Sequence, residues 1–248
     1  MTNKLKVLII IDQTAKANSA AISVNTGVMK EGEIYGLAHF TEHMLFLGSK
    51  KYPQPTFFVD FISKFSGKFN GFTDFDTTGF FFRVNPEEFE KSLDIFSRFF
   101  IDPLFDPQYI QKEINSVNSE FERNIQLDKK RREQILHQSA NHRSHYHRFT
   151  TGNTQSILNY AEKRKIDLRQ SVIDYYTAQY RPDNMNLILY GNRDVEYYMK
   201  LVMKTFEEMK KPSDHYSWKD NAELPFKIHE EVANNYYIGK ICLLPINK

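Results

Sequence analysis

The chain has 248 residues carrying 33 basic and 31 acidic side chains, a net charge of +2, so there is no bulk electrostatic case for a nucleic-acid or membrane partner. Apolar residues make up 41% of it, enough to build the core of one large domain or two small ones, and no apolar run is long enough for a membrane span. A lone cysteine, Cys242, excludes an internal disulfide framework and a Cys-based zinc finger.

In chain order, residues 6–11 (KVLIII) and 20–25 (AAISVN) read as strands joined by a polar loop. Residues 36–47 read as a helix. After the loop Tyr52-Pro-Gln-Pro55, Thr56 is expected to cap a helix with Phe57, Phe58, Phe61, Ile62 and Phe65 at helical spacing. Residues 68–73 and 77–84 read as strands with Gly, Asn and Asp turn signals around them. Pro86 opens a helix over 87–100, with Phe89, Leu93, Phe96 and Phe100 on one face. Pro107 opens a long helix over 111–126, with Ile114, Val117, Phe121 and Ile125 recurring at helical spacing. The run Lys129-Lys-Arg-Arg132 reads as the solvated end of that helix, where cations suit the macrodipole. His137, His142, His145 and His147 follow in a polar stretch that looks like a loop, with no carboxylate or Cys at ligand spacing. A helix over 167–179, a buried strand over 185–190 and a helix over 195–209 come next. A polar linker at 211–223 and a final strand at 236–244, which holds Cys242 as a small apolar residue, complete the chain.

Strands and helices mix without strict βαβ alternation, which predicts an α+β fold with helices packed on a mostly antiparallel sheet. Fifteen of the 21 Phe lie between Phe57 and Phe105, and their spacing makes them core. Phe80-Phe81-Phe82-Arg83 offers only one cation, too few for a base-stacking platform.

The segment His39-Phe-Thr-Glu42-His43 carries the chemistry. A helix turns about 100° per residue, so His39 and His43 lie about 40° apart and Glu42 about 60° to the other side of His39. Two imidazoles at i, i+4 can bind one Zn²⁺ and leave room for a third ligand and a water, and the adjacent carboxylate can take that water's proton. This is the reversed order of the H-E-x-x-H motif, expected by chance roughly 0.02 times in a chain of this composition. Leu37, Ala38, Phe40, Met44, Leu45, Phe46 and Leu47 surround it, so the helix is buried and its polar groups need partners. Glu113 and Glu120 sit two turns apart on the long helix. One could ligate zinc while the other hydrogen-bonds a ligand His, or both could belong to a solvated acidic stripe. Spacing does not choose.

These residues resemble the N-terminal catalytic domain of the insulin-degrading enzyme and nardilysin branch of the pitrilysin-type zinc metallopeptidases. The carrying segments are Gly36-Leu-Ala-His39-Phe-Thr-Glu42-His43-Met-Leu-Phe-Leu-Gly48-Ser-Lys-Lys-Tyr52-Pro53, Asn70-Gly-Phe72-Thr73, Pro103-Leu-Phe105 and Glu113-Ile-Asn-Ser-Val-Asn-Ser-Glu120. Phe149-Thr-Thr-Gly152-Asn153 and Tyr180-Arg-Pro-Asp-Asn184-Met185 follow in the family's order. The resemblance implies an αβ-roll with a six-stranded sheet and one zinc held by His39, His43 and Glu120. Glu42 then resembles the general base acting on the zinc-bound water, and Glu113 the acid that supports a ligand. Asn70, Gly71, Phe72 and Thr73 resemble a strand that pairs with the peptide substrate. Gly71 departs from the more usual Ala, and Thr150 from the more usual Gly.

The expected activity is zinc-dependent endopeptidase cleavage of short unstructured peptides. The alternative is a zinc-loaded peptide-binding module with little activity of its own, because such enzymes resemble four domains of this kind in one chain. Residues 1–248 are expected to form a single catalytic domain, with 211–248 leading toward a second, so the remaining domains of a longer chain are expected partners. The apolar run Val7 to Ile11 is too short for a signal-peptide core and no N-x-S/T sequence occurs. With the lone Cys, these favour a cytoplasmic, reducing compartment.

Overall fold

A computed structural model of the chain describes residues 1–209. Five strands form one sheet: β1 (Lys6–Ile11), β2 (Asn18–Val24), β3 (Lys68–Thr73), β4 (Thr78–Val84) and β5 (Met185–Gly191), in the order β1-β5-β2-β4-β3. The pairs β5–β2, β2–β4 and β4–β3 are antiparallel, while β1 runs parallel to β5. The expected six-stranded sheet is therefore five-stranded among the described residues. The expected linker at 211–223 and strand at 236–244 lie outside them.

Period-two alternation sends Ala20, Ile22 and Val24 of β2, Phe80 and Phe82 of β4, and Leu187 and Leu189 of β5 to one buried face. Helices cover that face. The helices of the described residues are α1 (Leu37–Leu45), α2 (Phe57–Lys64), α3 (Phe89–Ser97), α4 (Ile110–Asn124), α5 (Asp128–Ser139), α6 (Tyr160–Arg164), α7 (Leu168–Gln179) and α8 (Val195–Phe206), of which α1, α2, α3 and α8 pack directly on strands. Most of the phenylalanines between Phe57 and Phe105 pack in or against this core, but Phe72, Phe75 and Phe81 lie outside it, Phe72 and Phe81 being exposed. Phe58 meets Phe99 at 5.0 Å between ring centres, and Phe82 meets Phe96 at 5.1 Å. On the opposite face Phe81 and Arg83 are exposed.

Helix starts follow local chemistry. Asp106, Asp167 and Asp194 accept hydrogen bonds from the backbone N–H groups of Gln108, Gln170 and Tyr197. Pro86 and Pro107 open 3₁₀ turns that run into α3 and α4. Thr56 occupies the N-cap of α2 but makes no side-chain cap bond. The long helix ends at Asn124 and a new helix begins at Asp128. The basic run thus lies in the first turns of α5, not at a helix C-terminus. His137 is on α5 rather than in a loop, buried against the rings of Phe75 and Tyr146. The segment Gln155–Asn159, π-helical, continues into α6 and was not anticipated. Its signal is the Asn153 side chain, which accepts from Ser156 N–H before buried Ile157 and Ala161. No helix among the described residues is long and apolar enough to cross a membrane.

Candidate metal centre

Helix α1 starts at Gly36, whose φ of 95° suits glycine. The cap comes from outside the helix: buried Glu31 accepts from Gly36 N–H at 3.1 Å and Ala38 N–H at 3.2 Å through Oε2. Burial pushes the Glu31 carboxyl up to about 8, against the pull of those N–H groups. Phe40, Thr41, Met44 and Leu45 face the core, which turns His39 and His43 toward a cleft of about 590 Å³. Helix α4 packs across α1 through buried Ile114 and Val117, and presents Glu113 and Glu120 to the same cleft.

The hydrogen bonds fix the imidazole tautomers. His39 Nδ1 lies 2.6 Å from the carbonyl oxygen of Thr151. A carbonyl only accepts, so Nδ1 carries the proton and Nε2 keeps its lone pair. His43 Nδ1 lies 2.8 Å from Glu113 Oε1, and an ionised carboxylate imposes the same tautomer. The two Nε2 atoms face each other at 3.2 Å, with Glu120 Oε2 at 3.5 Å from His39 Nε2 and 3.7 Å from His43 Nε2. Three acceptors converge with no donor between them, which calls for a cation. Donors on one tetrahedral zinc, each about 2.0–2.1 Å away, stand about 3.3 Å apart, so the set fits. Among the described residues this is the group of His, Cys, Asp and Glu atoms close enough to share an ion. His142, His145 and His147 do not assemble one.

Without a metal the same convergence traps a proton. Burial pulls the His43 imidazole down, but the hydrogen bonds to Glu113 and Glu120 outweigh it and raise it to about 9. His43 in turn holds the Glu120 carboxyl down at about 2. Burial and the neighbouring His43 charge keep His39 below its ordinary value.

Glu42 stands beside the three acceptors and is buried. Thr73 Oγ1 on β3 donates to its Oε2 at 2.7 Å. Gly71 leaves room for Oε1, since a Cβ there would overlap that oxygen. Burial raises the Glu42 carboxyl to about 7, tempered by the Thr73 hydrogen bond. A bound cation would push it back down. Residues 69–73 of edge strand β3 line the cleft. Thr73 turns to Glu42, while half-exposed Phe72 lies over Gly79 on the open face of the sheet.

The structure thus brings His39, His43, Glu120, Glu113 and Glu42 together and lines the cleft with Asn70, Gly71, Phe72 and Thr73. It separates the roles of Glu113 and Glu120, which spacing left open: Glu113 holds Nδ1 and Glu120 approaches Nε2. Sequence reasoning missed the Thr151 carbonyl and the Glu31 cap. The first is a backbone atom with no side-chain signature, and the second is a side chain that caps backbone groups five and seven residues on, outside the usual N-cap spacing.

Residues 6–154 match the family described as Insulinase (Peptidase family M16), and residues 167–237 match the Peptidase M16 inactive domain. The chain is 36% identical over 210 residues to human insulin-degrading enzyme, covering 84% of this chain and 21% of that protein. The insulin-degrading enzyme of Drosophila melanogaster is 32% identical over 247 residues, 99% of this chain and 24% of that one. The A-factor-processing enzyme of Saccharomyces cerevisiae is 36% identical over 197 residues, 79% and 19%. The crystal structure of pitrilysin superposes with a TM-score of 0.80 at 27% identity, covering 87% of this chain and 23% of that one. The chain therefore spans about a fifth to a quarter of the length of these relatives. On the metal-ready cluster, the fold and these matches, the chain belongs to the insulinase family of peptidases, family M16.

Proposed function

We propose that this chain is the catalytic domain of a zinc-dependent endopeptidase that hydrolyses peptide bonds in short unstructured peptides. The observation that carries this reading is the convergence of the His39 and His43 Nε2 lone pairs and Glu120 Oε2 beside the buried Glu42 carboxylate. His39, His43 and Glu120 hold one zinc. Thr151 and Glu113 keep the imidazoles in the ligating tautomer. When bound, zinc polarises the scissile carbonyl and acidifies the attacking water. Glu42 takes the water's proton and delivers it to the leaving amine. Thr73 fixes the Glu42 carboxylate so that one oxygen stays available for the transfer. An extended peptide adds as a strand beside residues 70–73 at the free edge of β3, a mode that reads backbone and tolerates varied sequences.

The second reading is a zinc-loaded peptide-binding module with little turnover. The match covers about a fifth of human insulin-degrading enzyme, so that protein's turnover does not carry over and is tested directly. Hydrolysis of an unstructured peptide of roughly 20–30 residues separates the two. Endopeptidase activity predicts cleavage by the zinc-loaded chain and none by Glu42→Gln with zinc retained. Undiminished turnover in Glu42→Gln removes Glu42 as the base. A zinc-loaded chain that binds but does not cut selects the second reading.

A further inference from the structure

The basic run Lys129-Lys-Arg-Arg132 finds no explanation in folding. It occupies the first turns of α5, where the positive end of the helix dipole disfavours cations. All four side chains are exposed. Nearby acids compensate only in part: Glu133 lies 3.0 Å from Lys130 and 3.9 Å from Lys129, and Asp128 lies 3.4 Å from Arg131. Residues 128–133 hold four cations and two carboxylates.

Position gives the run a use. Lys130 lines the cleft that holds the metal centre, and it is the sole lysine or arginine among the described residues lining that cleft. It also lines the adjoining groove between α5 and the C-terminal half of α4, together with Arg131, Phe121 and Phe149. Asn124, Thr150 and Thr151 border both spaces, so the groove opens into the cleft at Lys130. Apolar lining comes from Phe46 and Leu47 just past the end of α1, Val59 of α2 and Phe69 of β3. The metal centre itself is acidic, through Glu42, Glu113 and Glu120. Away from the metal, Lys130 is thus the cationic side chain that the lining of this cleft offers a substrate carboxylate.

We propose that Lys130, backed by the basic first turns of α5, is a specificity-determining residue that selects peptides with an acidic side chain on the α5 side of the cleft. The partner is an acidic peptide segment. Its carboxylate meets the Lys130 ammonium and displaces Glu133 from it. Arg131 extends the attraction along the groove. The proposal rests on the reading of the cleft as a peptide site but not on turnover.

The experiment uses fluorescent peptides of one neutral unstructured sequence, with a single Glu or a single Lys walked through successive positions. Binding is measured to the zinc-loaded Glu42→Gln chain, which removes cleavage from the readout. The Glu peptide is expected to bind about three- to tenfold tighter than its Lys counterpart at one or two positions, the span one partly exposed ion pair and its reversal provide. Lys130→Met should level the two and Lys130→Glu should invert them, and added salt should shrink the preference. Equal binding of all peptides, a preference unchanged in Lys130→Glu, or no binding of any peptide overturns the proposal. Turnover of a neutral peptide by the unsubstituted chain is scored separately. Its absence removes the catalytic reading and leaves the binding preference standing, and its presence with equal binding does the reverse.

Discussion

One imidazole, that of His43, is gripped at both ends: Glu113 holds Nδ1 at 2.8 Å and Glu120 approaches Nε2 at 3.7 Å. The two carboxylates are the same residue type on the same helix, yet their losses should differ. In the proposed zinc site Glu120 is the charged ligand, so Glu120→Gln should abolish tight zinc binding. Glu113→Ala leaves three ligands but frees the ring, and should weaken zinc about 10- to 100-fold. Competition with a chelator of known affinity measures both, and equal losses would contradict the assignment. His39 and His43 were legible in the sequence because helical periodicity alone places i and i+4 together. The choice between Glu113 and Glu120 was not, since seven residues along a helix preserves the face but not the rotation of the partner ring. Thr73 was legible as a cleft residue, while its bond to Glu42 depends on how β3 and α1 pack.

At the scale of elements, the loop bearing the Thr151 carbonyl is held against α1 by two glycines. A Cβ on Gly36 would overlap the Gly152 backbone, and a Cβ on Gly152 would press on Ile157 and Gly36. Both have positive φ, 95° and 77°. Asn118 on α4 also accepts from Thr154 N–H at 3.1 Å and ties the loop's other end. Gly152→Ala should therefore cost about 1–3 kcal/mol of stability and also weaken zinc, because the carbonyl moves off His39. Gly32→Ala is the control: its φ is 70° but nothing lies within 4 Å of the added carbon, so it should cost stability without changing zinc affinity. Denaturant titration with zinc titration separates the two effects, and unchanged zinc affinity in Gly152→Ala would contradict the positioning role. The sequence showed the strands and α1 to α4 within a few residues, because their apolar periods are strong. It misplaced the basic run, since residues 111–126 leave no Gly or Pro to mark the break before Asp128. It also passed over Gln155–Arg164, where buried Ile157 and Ala161 sit among polar neighbours.

Across the whole molecule, the sheet's helix-covered face and its phenylalanine cluster hold α1, α4 and β3 in register. Phe82 is fully buried between Phe58, Phe89 and Phe96, so Phe82→Ala should cost about 3–5 kcal/mol, seen as a lower denaturation midpoint. The metal-free chain should also lose stability as pH rises. His43 is held above its ordinary value, so its stabilisation is full below about 6.5 and is lost as pH passes through about 9. Glu31 and Glu42, raised by burial to about 8 and about 7, act in the same direction from their ordinary value of 4.5 upward. Glu120 acts at the other end: its contribution is present above 4.5 and lost as pH falls through about 2. Chelator-treated protein should therefore unfold at lower urea at pH 9 than at pH 6.5, and a flat profile would contradict this. Fold class was readable from the order of elements, while the parallel pairing of β1 with β5 joins strands too far apart in sequence for local patterns to report. The most direct measurement is zinc content after gel filtration of the unsubstituted chain beside His43→Ala, Glu120→Gln and Glu42→Gln. One zinc per chain is expected in the first and last and none in the other two. An unsubstituted chain without zinc, or a Glu42→Gln chain that loses it as fully as His43→Ala, would contradict the proposed zinc site.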